Sequence, residues 1–282
     1  MRMLTFVAVV LLTCSVLFMC RWTKRPQIPR LAIAPVIAIP RVINITWTSA
    51  DFIESFAEFS TVRFGAKALR DLNPNYTLRV HTDEDVLHRL QSRLSPADWL
   101  LLHTRPFATK CDIWRLLVMI EDGGVYSDID RRWSVSFDEC LRAVPSTVRC
   151  ILPIHSALDF SQDIMTACPG HPIHGRALRL ALQRLREGQR TIMLGPGAYF
   201  DAACEDLLGP GVIPLHNRKT QPPWVWQKIS EAVKTRPDIY TFQEDHRRGP
   251  TFGWRHGPPP NIDKEAFYKA CDVLHWTKRQ KT

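Results

Sequence analysis

The sequence has no internal repeat and no low-complexity tract, which excludes repeat arrays and disordered scaffolds. It has no CxxC pair and no cysteine–histidine spacing of a zinc module. No basic run carries the interleaved aromatics of a nucleic-acid module. No A-x-A-like site follows the first apolar run, which argues against a removed signal peptide. What is present is ordinary globular composition: 282 residues, 45% hydrophobic and 23% charged, enough for one large domain or two small ones. The net charge of +9 suits an anionic partner, whether nucleic acid, membrane headgroups or a nucleotide's phosphates, and charge alone does not choose among them.

Residues 4–20, LTFVAVVLLTCSVLFMC, are uncharged and mostly apolar, with Arg2 before them and Arg21, Lys24 and Arg25 after. A bilayer core takes about 17–25 such residues, so the run reads as an uncleaved membrane anchor behind a short tail of residues 1–3. More basic residues follow the run than precede it, so the positive-inside rule would leave the bulk of the chain cytosolic. Residues 21–39, with Pro26, Pro29 and Pro35, read as an extended stem. Residues 40–282 read as one globular domain. Of eight cysteines, Cys14 and Cys20 lie in the apolar run and six follow it. In an oxidising lumen Cys140–Cys150 would close a short loop; the alternative is six buried thiols without disulfides. Asn44-Ile-Thr46 and Asn75-Tyr-Thr77 are N-glycosylation sequons. Asn44 falls inside an apolar strand pattern, and Asn75, in a turn after Asn73-Pro74, is the better acceptor.

RVINITW (41–47) is a β-branched run suited to a buried strand. ADFIESFAEFSTVRFGAKALRDL has helical spacing, NPNYTLRVHT is a turn and strand, and TDEDVLHRLQSRL is a helix opened by a capping residue and early acids. TKCDIWRLLVMIEDGG is a third helix stopped by Gly123 and Gly124. VYSDID is the next strand. Alternation of this kind predicts an α/β domain around a mostly parallel sheet, whose ligands bind beyond the carboxyl ends of the strands. Trp47 and the aspartate pair Asp128 and Asp130 then share one rim.

A D-x-D pattern is weak alone, and Asp83-Glu84-Asp85 is an internal control: those acids sit in the first turn of a helix, where its dipole favours them without a metal. Asp128 and Asp130 end a strand, where positions i and i+2 point to one side. Two carboxylates aimed together call for a cation between them, and oxygen donors suit Mg²⁺ or Mn²⁺. The competing reading is a solvated loop neutralised by Arg131 and Arg132. On the preceding helix Asp112 and Arg115, three apart, share a face, with Ile113, Leu116, Leu117 and Ile120 on the other. Such a pair is commonly a surface ion pair. The functional alternative lays it over the rim, Asp112 accepting from sugar hydroxyls and Arg115 near a phosphate.

Taken together, KCDIWRLLVMIEDGGVYSDID resembles the core motif of glycosyltransferase family 32, the DXD sugar-binding glycosyltransferases. IPRVINITW is similar to that family's opening strand. PGHP (169–172) and GPGAYFDA (195–202) are most similar to fungal Golgi initiating α-1,6-mannosyltransferases. The resemblance covers roughly residues 39–205, with an echo at His275-Trp276. It implies a GT-A fold of Rossmann-like type, a nucleotide-sugar donor (GDP-mannose), Mn²⁺ (or Mg²⁺) and retention of anomeric configuration. It also implies a single-pass type II Golgi membrane protein with a lumenal catalytic domain and a glycan, glycoprotein or glycolipid acceptor. By the same resemblance Asp130 chelates the metal and Asp128 meets it through water or meets the ribose. Asp112 and Arg115 hold sugar and diphosphate, Tyr126 lies in the donor site and Trp47 beside the base. His275 reaches metal or phosphate. Asn44 stands where the family often has His or Gln, Asp163 replaces an aromatic residue, and His275 and Trp276 are adjacent where relatives separate them.

Glycosyl transfer needs a stabilised leaving group, which a metal and a fixed Arg115 charge would supply. No nucleophile is named by the sequence, and Asp163 lies in a plausible region. Within the family the alternatives are a UDP-hexose donor or a sphingolipid mannosyltransferase. Outside it they are a D-x-D phosphohydrolase, against which Gly-Gly-Val-Tyr-Ser and Arg131 speak, and an inactive membrane-anchored nucleotide-sugar binder.

Overall fold

The computed structural model describes residues 38–48, 65–129, 136–142, 144–155, 159–211 and 223–243. The chain divides into two units, Met1–Val36 and Ile37–Thr282, and every described residue belongs to the second. The expected anchor, nearly all of the stem, Asp130 and His275 lie outside the described residues. Among those described, no helix is long and apolar enough to cross a membrane.

In chain order the elements are β1 (Val42–Thr46), α1 (Gly65–Leu72), β2 (Thr77–His81), α2 (Asp83–Arg93), α3 (Pro96–His103), α4 (Phe107–Glu121), β3 (Gly124–Ser127), α5 (Phe137–Arg142), β4 (Cys150–His155), β5 (Asp159–Phe160), β6 (Ile164–Ala167), α6 (Pro172–Arg186), α7 (Thr191–Leu194), α8 (Pro196–Leu208), α9 (Pro223–Lys234) and β7 (Ile239–Gln243). The sheet runs β2-β1-β3-β6-β4-β5, with β7 also on β4. Strands β1, β2, β3, β4 and β7 point one way, while β5 and β6 run against them. Side chains alternate between two cores. Val125 joins Ile43, Ile45 and Ile151 on one face with α1 and α5, and Tyr126 joins Leu152 and Met165 on the other with α2, α4, α6 and α8.

Local chemistry sets the boundaries. Thr82 opens α2 with a capping box: its hydroxyl accepts from the Asp85 N–H, and Asp85 accepts from the Thr82 N–H. The control acids Asp83, Glu84 and Asp85 therefore occupy a helix first turn, as the sequence predicts. After α4 the chain turns through Gly123 (φ 62°) and Gly124 (φ 83°). A Cβ at Gly123 would sit 2.6 Å from the Pro169 nitrogen, and one at Gly124 2.5 Å from the Val42 carbonyl oxygen. Both glycines are required by backbone shape and by neighbouring backbone. Asn44 ties this turn to β1: its Nδ2 donates to the Gly123 carbonyl at 3.3 Å, and its Oδ1 lies 3.1 Å from His81 Nε2. Asn44 is fully buried, so its sequon is closed in the folded chain, whereas Asn75 is exposed in the turn before β2.

The Cys140–Cys150 loop is not formed, and no described cysteine is in a disulfide. Cys140 packs with the α1/α5 core and Cys150 is buried in the other, so the sheet lies between them.

A second buried polar group gives the fold an acid limit. His174, on α6, is fully buried and stacks on Tyr199 of α8 with ring centroids 5.8 Å apart, and neither of its ring nitrogens has a hydrogen-bond partner. Burial, with His171 nearby, pushes its pKa from 6.5 down to about 3. The unfolded chain takes a proton near pH 6.5 that the folded chain refuses until about pH 3. This contribution to stability is thus intact above pH 6.5 and is lost as pH falls through that window. Between pH 7 and 5 the loss is about 2 kcal/mol. His174→Phe should shrink the stability difference between those two pH values by that amount in urea unfolding. Comparing two pH values within each protein cancels any packing change, and an unchanged difference would show that His174 titrates normally.

Candidate active site

Asp128 is the first residue beyond β3. Strand β1 runs parallel with Asn44 opposite Tyr126, and continuing that register puts Trp47 level with Ile129 on the same rim. The Trp47 ring is mostly buried there with Val125 and Ile129. On the other side β6 runs antiparallel, with Ile164 opposite Ser127. It is therefore the entrance to β6 that reaches the rim. The Asp163 carbonyl accepts the Asp128 N–H at 2.8 Å, which sets Asp163 directly beside Asp128.

Helix α4 supplies the centre of the site. Arg115 Nη2 lies 3.1 Å from Asp112 Oδ1, and Nη1 lies 3.2 Å from Asp128 Oδ1. Nη1 also donates to the Gln162 carbonyl at 3.0 Å, and Nε points at the Cys111 carbonyl at 3.4 Å. The guanidinium carbon sits 4.7 Å from the Tyr126 ring centre. The Tyr126 hydroxyl donates to the same Asp128 Oδ1 at 2.5 Å. Gln162, almost fully buried, returns a side-chain bond to the Asp112 carbonyl at 3.3 Å.

The Asp112 and Arg115 side chains keep only 13% and 10% of their surface exposed. That decides against a surface ion pair. The expected division of α4 into an apolar face and an open polar face is also corrected. Trp114, Arg115, Val118 and Met119 are buried along with Ile113, Leu116 and Leu117, because α2, α6 and α7 pack around the helix as well as the sheet. Burial pushes the Asp112 carboxyl up to about 6, with Arg115 pulling it down and Asp128 adding to the rise. The Arg115 charge 3.1 Å away opposes that rise and favours the carboxylate. Burial acts to lower the Arg115 pKa, and Asp128, Tyr126 and Asp112 together more than reverse it. The charge on Arg115 is permanent.

Both contacts to Asp128 fall on Oδ1, and its side chain remains 32% exposed. Oδ2 is the oxygen left for an outside partner. Asp112 and Asp128 bring two negative charges against one guanidinium. Carboxylate oxygens of this kind suit a hard divalent cation; Asp128 would be one ligand, and Asp130, outside the described residues, is the other acid of the motif. Among the described residues no three His, Cys, Asp or Glu side chains form a metal cluster.

The structure thus brings together Asp112, Arg115, Tyr126, Asp128 and Asp163, with Trp47 farther along the rim. Gln162 was missed by sequence reasoning. It acts on Arg115 through its main chain, and no residue-type signal marks that.

Residues 60–145 match the family model described as a glycosyltransferase sugar-binding region containing a DXD motif. The chain therefore carries such a region, and Asp112, Arg115, Tyr126 and Asp128 all lie within it. No curated protein matches the chain. Among solved structures, the PaToxG glycosyltransferase is similar at a TM-score of 0.43 and 17% identity, over 71% of this chain and 76% of that one.

Proposed function

We propose, from the DXD sugar-binding region this chain carries, that it is a metal-dependent retaining glycosyltransferase moving a hexose, mannose from GDP-mannose, onto a glycan or glycolipid acceptor. The observation that carries the reading is the buried Asp112–Arg115–Asp128 array at the carboxyl end of β3. The acceptor oxygen bonds to the anomeric carbon while the bond to the diphosphate breaks, its electron pair leaving with the phosphate. The acceptor's proton goes to that phosphate. Asp128 and Asp130 would hold a divalent cation, which would supply the positive charge that makes the nucleoside diphosphate a good leaving group.

Arg115 donates from Nη1 to the Gln162 carbonyl and from Nε toward the Cys111 carbonyl, and pairs by charge with Asp112 and Asp128. It is the fixed charge that holds both carboxylates in place, beside the donor's diphosphate. Asp112, paired with Arg115 through Oδ1, accepts from sugar hydroxyls. The mannosyl assignment rests on the resemblance of GPGAYFDA and on no base-reading residue.

The full chain in detergent should be offered GDP-mannose, UDP-galactose and UDP-glucose with a glycan acceptor, with Mn²⁺ or EDTA. We expect Mn²⁺-dependent release of nucleoside diphosphate with sugar transfer, fastest from GDP-mannose. Faster turnover of a UDP-hexose would replace the donor and keep the enzyme class. Release of inorganic phosphate without transfer would make the protein a phosphohydrolase, and donor binding without turnover would make it a binder.

A further inference from the structure

We infer that Gly195 is a positioning residue for Asp112: the carboxylate occupies the space a side chain at position 195 would need. A Cβ built on Gly195 lies 2.3 Å from Asp112 Oδ2, 2.5 Å from its Cγ and 3.0 Å from its Cβ. Distances below 3.0 Å are not met by real Cβ atoms, so one of the two partners must move. Gly195 has φ −89° and ψ −102°, outside the left-handed region. The Asp112 carboxylate stands where its Cβ would go.

Neither partner has room to retreat. Gly195 is the corner between α7 and α8: its N–H donates to the Thr191 carbonyl and its own carbonyl accepts from the Tyr199 N–H, both at 3.1 Å. The corner is tied to α4 by the Thr109 and Thr191 hydroxyls, 2.9 Å apart, about one turn before Asp112. It is tied to α6 by Arg184, which donates to the Met193 carbonyl at 2.9 Å and pairs with buried Asp201 on α8. Asp112 is a short side chain whose other oxygen is held by Arg115. A methyl group at 195 therefore pushes the carboxylate off Arg115, and Arg115 also holds Asp128. One added carbon is transmitted to the DXD acid without touching it.

This inference rests on the glycosyltransferase reading for its catalytic consequence, and the test separates the two. A double-mutant cycle of Gly195→Ala and Asp112→Ala is followed by thermal unfolding and by sugar transfer. Gly195→Ala alone should lower Tm and cut kcat/KM for the donor about a hundredfold, with the acceptor KM held. In the Asp112→Ala background, where Oδ2 and Cγ are gone and only the Asp112 Cβ position at 3.0 Å remains, adding Gly195→Ala should cost much less Tm than it does beside Asp112. That stability coupling would appear even in a protein that transfers no sugar. If Gly195→Ala fails to fold alone, recovery of a folded protein in the Asp112→Ala background supports the inference. Equal loss of Tm or of folding in both backgrounds, or wild-type donor turnover in Gly195→Ala, overturns it.

Discussion

Arg115→Ala should abolish transfer and destabilise the fold by about 3–5 kcal/mol, the cost of leaving a buried ion uncompensated. Here the loss strands Asp112 inside the protein and leaves Asp128 with only the Tyr126 hydroxyl of its two partners on Oδ1. It also empties the bond to the Gln162 carbonyl. Arg115→Lys keeps the charge but not the planar fork, so it should hold one carboxylate and release the other, recovering part of the stability and little of the activity. Arg93 is the comparison. It pairs with Glu121 on the surface, with 57% of its side chain exposed, and Arg93→Ala should cost no more than about 1 kcal/mol. Urea unfolding of the three variants ranks them. A cost for Arg115→Ala no greater than for Arg93→Ala would mean that the array is not held together by this charge.

The second large effect belongs to the aspartate pair. Asp130→Ala should abolish transfer with the fold intact, and Asp128→Ala should nearly do so. Asp128→Ala also removes the partner of the Tyr126 hydroxyl and half the negative charge around Arg115, so it should lower stability where Asp130→Ala does not. Asp83→Ala and Asp85→Ala should keep full activity. The first should cost about 0.3–1 kcal/mol for a charge lost from a helix first turn. The second should cost about 1 kcal/mol, because Asp85 closes the capping box with Thr82. Thermal unfolding with Mn²⁺ and GDP reports the same site independently of turnover, since a ligand that binds only the folded chain raises Tm. An Asp130→Ala protein that still transfers sugar at a near-normal rate and is still stabilised by Mn²⁺ would place the metal elsewhere.

Much of this was legible in the sequence because it is local. The capping box of α2 is written in Thr82 and Asp85, the stop after α4 in Gly123 and Gly124, and the pairing of Asp112 with Arg115 in their spacing of three. The strand that delivers Asp128 follows directly from the glycines. What could not be read depends on residues far away. Nothing in IMTA says that β6 runs antiparallel beside β3, yet that orientation brings Gln162 and Asp163 to the rim. The near-complete enclosure of α4 was hidden for the same reason: its outer cover is α6 and α7, whose positions follow from chain reversals after the sheet. Gly195 lay inside a recognised motif, but its role became visible only once the Asp112 carboxylate was found in its place.

The contacts around Arg115 also differ in when the chain can make them. Asp112 is within the same helix, Asp128 is one turn and one strand later, and the Gln162 carbonyl is 47 residues away. Each longer loop costs more entropy to close, and during synthesis each must wait for more of the chain to emerge. Until residue 162 is out, α4 carries a guanidinium that cannot be enclosed, and the helix has reason to stay wet on that side. Closing the array around Arg115 is thus coupled to the pairing of β6 with β3. A chain that stalls before that pairing has its acids and its arginine in hand but has not yet sealed them from water.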